Sequence, residues 1–134
     1  MLKRIIILFL IFGLPGAGSL FARTLTVKVS NIRQITGNLM VGVFNSETGF
    51  PDVYFKGAKV KVTGSAMTVT FKDLPEGKYA VSAYHDANMN GALDKNIFGV
   101  PKEKYGFSNR DNKPDYKASL FDFNSDTTLN ISLK

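Results

Sequence analysis

Alternation of apolar and polar residues is the main pattern along this chain. Near its start, Leu25, Val27 and Val29 are separated by polar residues. A period of two places such side chains on one face of a half-buried β-strand. The same alternation predicts strands at residues 24–30, 58–63, 67–72 and 127–133. Residues 39–45 are apolar on both faces and predict a central strand, and residues 78–85 and 119–123 bring the number of predicted strands to seven.

Glycine and proline separate the predicted strands. The turn signals are at residues 37–38, 64–65 and 74–77, while residues 95–117 form a long irregular segment. No window after residue 22 keeps an apolar spacing of 3.6 residues long enough to predict a helix. Short strands at regular spacing therefore predict one all-β domain, an antiparallel β-sandwich of about seven strands with an immunoglobulin-like architecture.

The first residues are typical of an export signal. A basic start at residues 1–4 precedes an apolar run at residues 5–14, and a small residue, Ala22, ends the segment. The apolar run is too short to span a bilayer, which needs about 20 residues. We expect cleavage after Ala22, so that residues 1–22 leave a 23–134 domain in the periplasm or outside the cell, without a stable membrane anchor. The alternative is an uncleaved anchor.

Charge and cysteine content restrict the possible partners of the domain and the interactions that stabilise it. The full chain carries 17 basic and 11 acidic residues, and loss of Lys3 and Arg4 with the signal would reduce the net charge from +6 to +4. The lysines are scattered along predicted strands, which does not favour nucleic-acid binding. Because the chain has no cysteine, core packing or a metal must stabilise the exported domain in place of disulfides.

One loop has the spacing of a calcium site. Oxygen-bearing groups recur at every second position, followed by a glycine, Gly91, that permits a sharp turn. The expected ligands are Asp86, Asn88, Asn90, the Ala92 carbonyl and Asp94.

The loop departs from the EF-hand. It follows a predicted strand, and Ile97 stands where an EF-hand has a bidentate glutamate. A further carboxylate would have to come from Glu103, Asp111 or Asp115. With so few charged ligands we expect a weak calcium site, with a dissociation constant on the order of 10⁻⁴ to 10⁻³ M. The alternative is a set of Asx turns without an ion.

A catalytic interpretation has little support. His85 is the only histidine, and a hydrolase-like site would pair it with Ser108. Residues 106–110 do not form a G-x-S-x-G nucleophile elbow. His85 shares a strand face with Val81 and Ala83, so we interpret it as a packed histidine at the edge of the core.

Aromatic residues in two irregular segments offer another possibility. They are Tyr54, Phe55, Tyr105 and Phe107. If their rings share one exposed surface, they could bind a sugar or a peptide without any metal. For the loop at residues 46–57 we favour a different interpretation, in which it folds back as a cap on the sandwich.

Several segments together resemble a family of small exported bacterial proteins, domain of unknown function family 2141. They are LPEGKYAV at 74–81, HDANMNGALD at 85–94, GVPKE at 99–103 and YGFSN at 105–109. The resemblance covers essentially the whole predicted mature chain and implies an exported protein with no established reaction. The turn at 74–79 also resembles prealbumin-like sandwich modules of bacterial surface proteins, which implies fold alone.

The residues and the resemblance together predict a non-catalytic exported binding module. Its loop at residues 86–94 would hold calcium and order the irregular segment that follows. Its ligand would be a carbohydrate or a protein. The metal-free aromatic binding surface and the hydrolase that uses His85 are the alternatives.

Overall fold

Eight strands and one helical turn make up residues 22–89, 103–109 and 114–134, the part of the chain that the computed structural model describes. They are β1 (Ala22–Ser30), β2 (Asn38–Phe44), β3 (Lys56–Lys61), β4 (Met67–Pro75), β5 (Gly77–Asp86), β6 (Tyr105–Phe107), α1 (Tyr116–Ser119), β7 (Phe121–Phe123) and β8 (Thr127–Ser132). The predicted all-β class is confirmed.

The strands form two sheets. The smaller sheet has the order β4-β1-β8, and the larger one has the order β3-β2-β5-β6. β7 also pairs with β5, at Gly77–Tyr79, whereas β6 pairs with β5 at Ser82–Tyr84. All pairings are antiparallel except the one between β1 and β8, which is parallel.

Both sheets contribute to one apolar core. The inward residues of the smaller sheet include Val27 and Phe71, and those of the larger sheet include Val43 and Val81. All are buried together with Phe123, which is 0% exposed. Burying each such side chain stabilises the fold by about 1.5–3 kcal/mol. The two sheets therefore pack face to face as a sandwich.

Seven of the observed strands were predicted, with ends that differ by at most three residues. The exception is β6, which has only three residues with a glycine in the middle. A Cβ on Gly106 would lie 2.6 Å from Cγ2 of Ile131, so the glycine lets β6 approach β8. The predicted strand at 119–123 is wrong at its start, because Ser119 ends α1 and β7 begins at Phe121.

The strand β6 is held on both of its edges. It pairs with β5, and Tyr105 exchanges two backbone hydrogen bonds with Lys134, at 3.2 and 3.0 Å.

The helical turn α1 is capped by Asp115, whose side chain accepts a 3.1 Å hydrogen bond from the Ala118 N–H. Within the described ranges, no helix has the length and apolar character needed to cross a membrane.

Candidate functional site

The face of the larger sheet that points away from the core forms a groove. Strand pairing places two rows of outward residues side by side across β3, β2, β5 and β6. One row consists of Gly57, Gly42, Ser82 and Phe107, and the next consists of Lys59, Met40, Tyr84 and Tyr105. Gly42 and Ser82 are small, and the ring of Phe44 packs over Gly42, where a Cβ would lie 3.0 Å from ring atom Cε2. A cavity of about 530 Å³ lies on this face, and its lining includes all three residues.

Tyr54 forms one wall of this outer-face groove. Its ring lies on Gly57, where a Cβ would be 2.5 Å from ring atom Cε1. The side chain is 57% exposed. The next residue, Phe55, points elsewhere: its ring stacks on that of Tyr79, with centroids 6.2 Å apart. The loop therefore presents one aromatic ring to the groove.

Phe50 anchors the loop that carries Tyr54. Its ring packs edge-on against Phe44 and Tyr116, with centroid distances of 4.8 and 5.5 Å, and contacts Phe107 at 5.7 Å. The loop thus combines the two interpretations that its sequence allowed. Phe50 caps the sheet at Phe44 and Phe107, while Tyr54 is an exposed lip.

The opposite wall comes from β5 and β6. Tyr84 and Tyr105 are cross-strand partners, and Phe107 lies opposite Ser82. The rings of Tyr105 and Phe107 are in edge contact, 5.5 Å apart. Three of the four aromatic residues predicted to share an exposed surface therefore line one groove, but Phe107 is only 3% exposed, and Phe55 lies outside the groove.

Tyr84 lies in the negatively charged part of the groove. Burial raises the pKa of its phenol, and the carboxylates of Asp86, Glu103 and Asp52 raise it further. The phenol consequently stays protonated at neutral pH and can donate a hydrogen bond. Lys59 lines the groove two strands away.

The predicted calcium loop begins directly beyond this part of the groove. Asp86 is the last residue of β5 and is 0% exposed, whereas Asn88 is exposed. The Met89 N–H donates to the Asp86 carbonyl at 3.3 Å, and Met89 has a left-handed φ of 58°. The other expected ligands, Asn90, Ala92 and Asp94, lie outside the described residues.

The structure describes two of the three carboxylates considered as additional calcium ligands, and they have different roles. Glu103 reaches the loop, since its Oε2 accepts a 3.0 Å hydrogen bond from the Ala87 N–H. Asp115 instead caps α1, and Asp111 lies outside the described residues. Among the residues with described positions, no group of three His, Cys, Asp or Glu could hold a metal ion. Calcium binding stays a prediction.

Comparison with known proteins assigns the chain to a family. A family model described as "Uncharacterized protein conserved in bacteria (DUF2141)" matches residues 27–131. The chain belongs to the DUF2141 family. The match runs from β1 to β8, so it includes the groove and the 86–94 loop. No curated protein and no solved structure matches the chain.

In this DUF2141 protein, His85 is in β5, and its side chain is on the core side of the larger sheet. It is 5% exposed, and its Nε2 is 2.5 Å from the Thr36 carbonyl oxygen. Because a carbonyl only accepts hydrogen bonds, Nε2 must carry the hydrogen in this contact. The imidazole thus satisfies a backbone acceptor at the edge of the core.

Ser108 has a structural environment of its own. Its Oγ accepts from the Val81 N–H at 2.9 Å and donates to the Ser119 carbonyl at 2.6 Å. Val81 is four residues from His85 on β5, which corresponds to about 13 Å along a strand. The structure therefore does not bring His85 and Ser108 together as a base and a nucleophile.

Several residues of the groove were not predicted from the sequence, among them Ser82, Tyr84 and Asp52. Tyr84 and Ser82 are polar residues on the non-core face of a strand whose other face is apolar, which is the signal that could have found them. Asp52 has no such signal, because the position of its loop depends on the distant contacts of Phe50.

Proposed function

We propose that this DUF2141 protein is a non-catalytic binding module that holds a small polar ligand, a sugar ring or a short peptide segment, in the outer-face groove. The observation that carries the proposal is the placement of Tyr54, Tyr84 and Tyr105 around a floor formed by Gly42, Phe44 and Ser82. Tyrosines combine an apolar ring with a hydroxyl group, which suits ligands that have both apolar faces and polar edges.

The size and rigidity of the groove support this proposal. Its volume of about 530 Å³ is within the usual range of roughly 300–1,000 Å³ for small-molecule sites. Tyr84 and Tyr105 are on paired strands, and the Tyr54 loop is anchored by Phe50. A preformed site loses less conformational entropy when a ligand binds.

Titration of the ¹⁵N-labelled protein with monosaccharides and tripeptides, followed by NMR, tests the proposal. We expect shifts concentrated at the groove residues. In Ser82→Val, the larger side chain should fill the floor and abolish them. Ser132→Val is the matched control, since Ser132 is exposed at the end of β8, in the other sheet. Shifts that persist in Ser82→Val, or no groove shifts with any probe, would contradict the proposal.

Export belongs to the same proposal. The first described strand begins at Ala22, so cleavage after this residue would leave β1 from Arg23 onward, including the 3.3 Å ion pair between Arg23 and Glu76. Mass spectrometry of protein recovered from the periplasm or medium of an expressing bacterium should show a chain that starts at Arg23. Recovery of the intact chain in the cytosol would contradict export.

Calcium binding by the 86–94 loop is a second candidate function, favoured by the contact between Glu103 and Ala87. With a dissociation constant of about 1 mM, a calcium concentration of roughly 10 mM would stabilise protein that a chelator has freed of metal by about 1.4 kcal/mol. That corresponds to a rise in melting temperature of about 5 °C. The rise should be smaller in Glu103→Gln and unchanged in Glu47→Gln, which is exposed. A melting temperature that does not respond to calcium would exclude this function.

A further inference from the structure

We infer that the ligand of the outer-face groove carries an organic ammonium group, held between the rings of Tyr54, Tyr84 and Tyr105 and beside the carboxylate of Asp52. The inference rests on the proposed binding function of the groove and adds the charge of its ligand. It follows from the charges that surround the Tyr84 end and from the residues that form its walls.

Negative charge converges on Tyr84 from three elements of the structure. Asp52 is on the loop that carries Tyr54 and lines the groove. Asp86 ends β5 two residues beyond Tyr84, and Glu103 precedes β6 and contacts the backbone at Ala87. Each of these carboxylates raises the pKa of the Tyr84 phenol. The field that disfavours a phenolate at this position favours a cation, because both effects are Coulombic.

The aromatic rings in the walls of the groove also favour a cation. Tyr54, Tyr84 and Tyr105 all line the cavity. An ammonium group within about 6 Å of an aromatic ring face is attracted by the ring quadrupole, and the attraction increases when water is partly excluded. Tyr84 and Tyr105 are half-buried, so this end of the groove offers partial exclusion of water.

Lys59, the one basic residue lining the groove in the described part of the chain, lies away from this end. Lys59 and Tyr84 are in the same row of the sheet, but Met40 stands between them. Two strand spacings separate their backbones by about 10 Å. The ammonium group therefore belongs between the two walls of the groove on the Tyr84 side, where Asp52 and Tyr54, both on the loop before β3, act on the Tyr84 phenol, and not beside Lys59.

Matched probes with and without an ammonium group test the inference. Glucosamine, glucose and N-acetylglucosamine form one series, and the terminally blocked peptide acetyl-Gly-Lys-Gly-amide with its N-acetyl-lysine counterpart forms another, so that the lysine side chain is the one ammonium group of the peptide. The two series show whether the amine is presented on a sugar or on a peptide. We expect the cationic member of at least one series to bind roughly tenfold more tightly than its neutral partners, as shown by NMR shifts of the groove residues.

Charge variants connect this preference to the groove. Asp52→Asn should remove most of the preference for the cationic probe, and Lys59→Met should leave or increase it. Asp122→Asn, at an exposed position on β7, should have no effect. Equal binding of cationic and neutral probes would overturn the inference while leaving the groove as a binding site. No binding of any probe would overturn the proposed function and the inference together.

Discussion

The ring of Tyr54 covers Gly57 so closely that a Cβ at position 57 would lie 2.5 Å from Cε1 of the ring and 2.7 Å from Cζ. The two residues are on a loop and on the edge strand that follows it. Their contact sets the direction in which Tyr54 enters the groove. A glycine at position 57 is therefore a requirement of the groove wall.

Gly57→Ala should move the Tyr54 ring out of the groove. The new methyl group occupies space that the ring fills, so the ring must rotate toward solvent. We expect changed NMR shifts of the Tyr54 ring protons, weaker probe binding and a change in unfolding free energy within about 1 kcal/mol, the usual scale of a Gly–Ala exchange. Gly64→Ala is the control, because its Cβ would be 3.6 Å from the nearest backbone atom. An unmoved Tyr54 ring would contradict the prediction.

Phe50→Ala should destabilise the protein much more than Phe55→Ala. Phe50 contacts three aromatic rings, Phe44, Phe107 and Tyr116, whereas Phe55 is 45% exposed and, among the residues that the structure describes, stacks on Tyr79 only. We expect losses of about 2 kcal/mol for Phe50 and less than about 1 kcal/mol for Phe55. Urea unfolding measures both values. Similar losses would mean that Phe50 does not anchor the loop.

Ser108→Ala should destabilise the fold, and Ser119→Ala should not. The Ser108 hydroxyl bonds the Val81 N–H and the Ser119 carbonyl in a buried position, so its removal leaves two polar groups with one bond fewer, at a cost of about 2 kcal/mol. The Ser119 hydroxyl is also buried but has no hydrogen-bond partner among the described residues. Its removal should be neutral or stabilising. Denaturant unfolding of both variants distinguishes the two environments.

Tyr79→Phe should reduce the loss of stability at alkaline pH. The Tyr79 hydroxyl donates to the Pro75 carbonyl at 2.7 Å, and burial raises the pKa of this phenol above its ordinary value of 10.0. Below pH 10 this contribution is complete; it is lost as the pH rises through the folded-state pKa, because the unfolded state releases the proton more readily. The variant should lose about 1 kcal/mol at neutral pH and show a shallower decline toward about pH 11.

Tyr54→Phe is the control for this comparison, since Tyr54 is 57% exposed. We expect its urea-unfolding midpoint to follow that of the unsubstituted protein at both pH values. An equally steep alkaline decline in Tyr79→Phe would show that Tyr79 does not contribute to it. Tyr84 and Tyr116, whose pKa values are also raised by burial, would then account for the decline.

Alternation was a sufficient guide to strands such as β1 and β4. In these strands Val27 and Val69 are buried while Lys28 and Thr70 are exposed, so the side-chain pattern reports burial residue by residue. It failed for β6, which is too short to show a period and contains Gly106 for a contact with Ile131 far along the chain.

The candidate site was accessible to sequence reasoning only in part. The spacing from Asp86 onward indicated a special loop, and the aromatic residues Tyr54, Tyr105 and Phe107 were noted. Their common groove depends on the pairing of Gly42 with Ser82 and of Met40 with Tyr84. Register of this kind joins residues about 40 positions apart, and a strand's own period of two does not specify it.

By itself the sequence determined the all-β class, the faces of strands such as β1, β3, β4 and β8, and the family, because these strands carry their own alternation and the motifs are contiguous. Tertiary structure alone decided the parallel pairing of β1 with β8, the contact of Glu103 with Ala87 and the row that places Tyr84 between Met40 and Tyr105. These features arise when two packed sheets bring distant segments together, and the free energy that selects them is shared by the whole core.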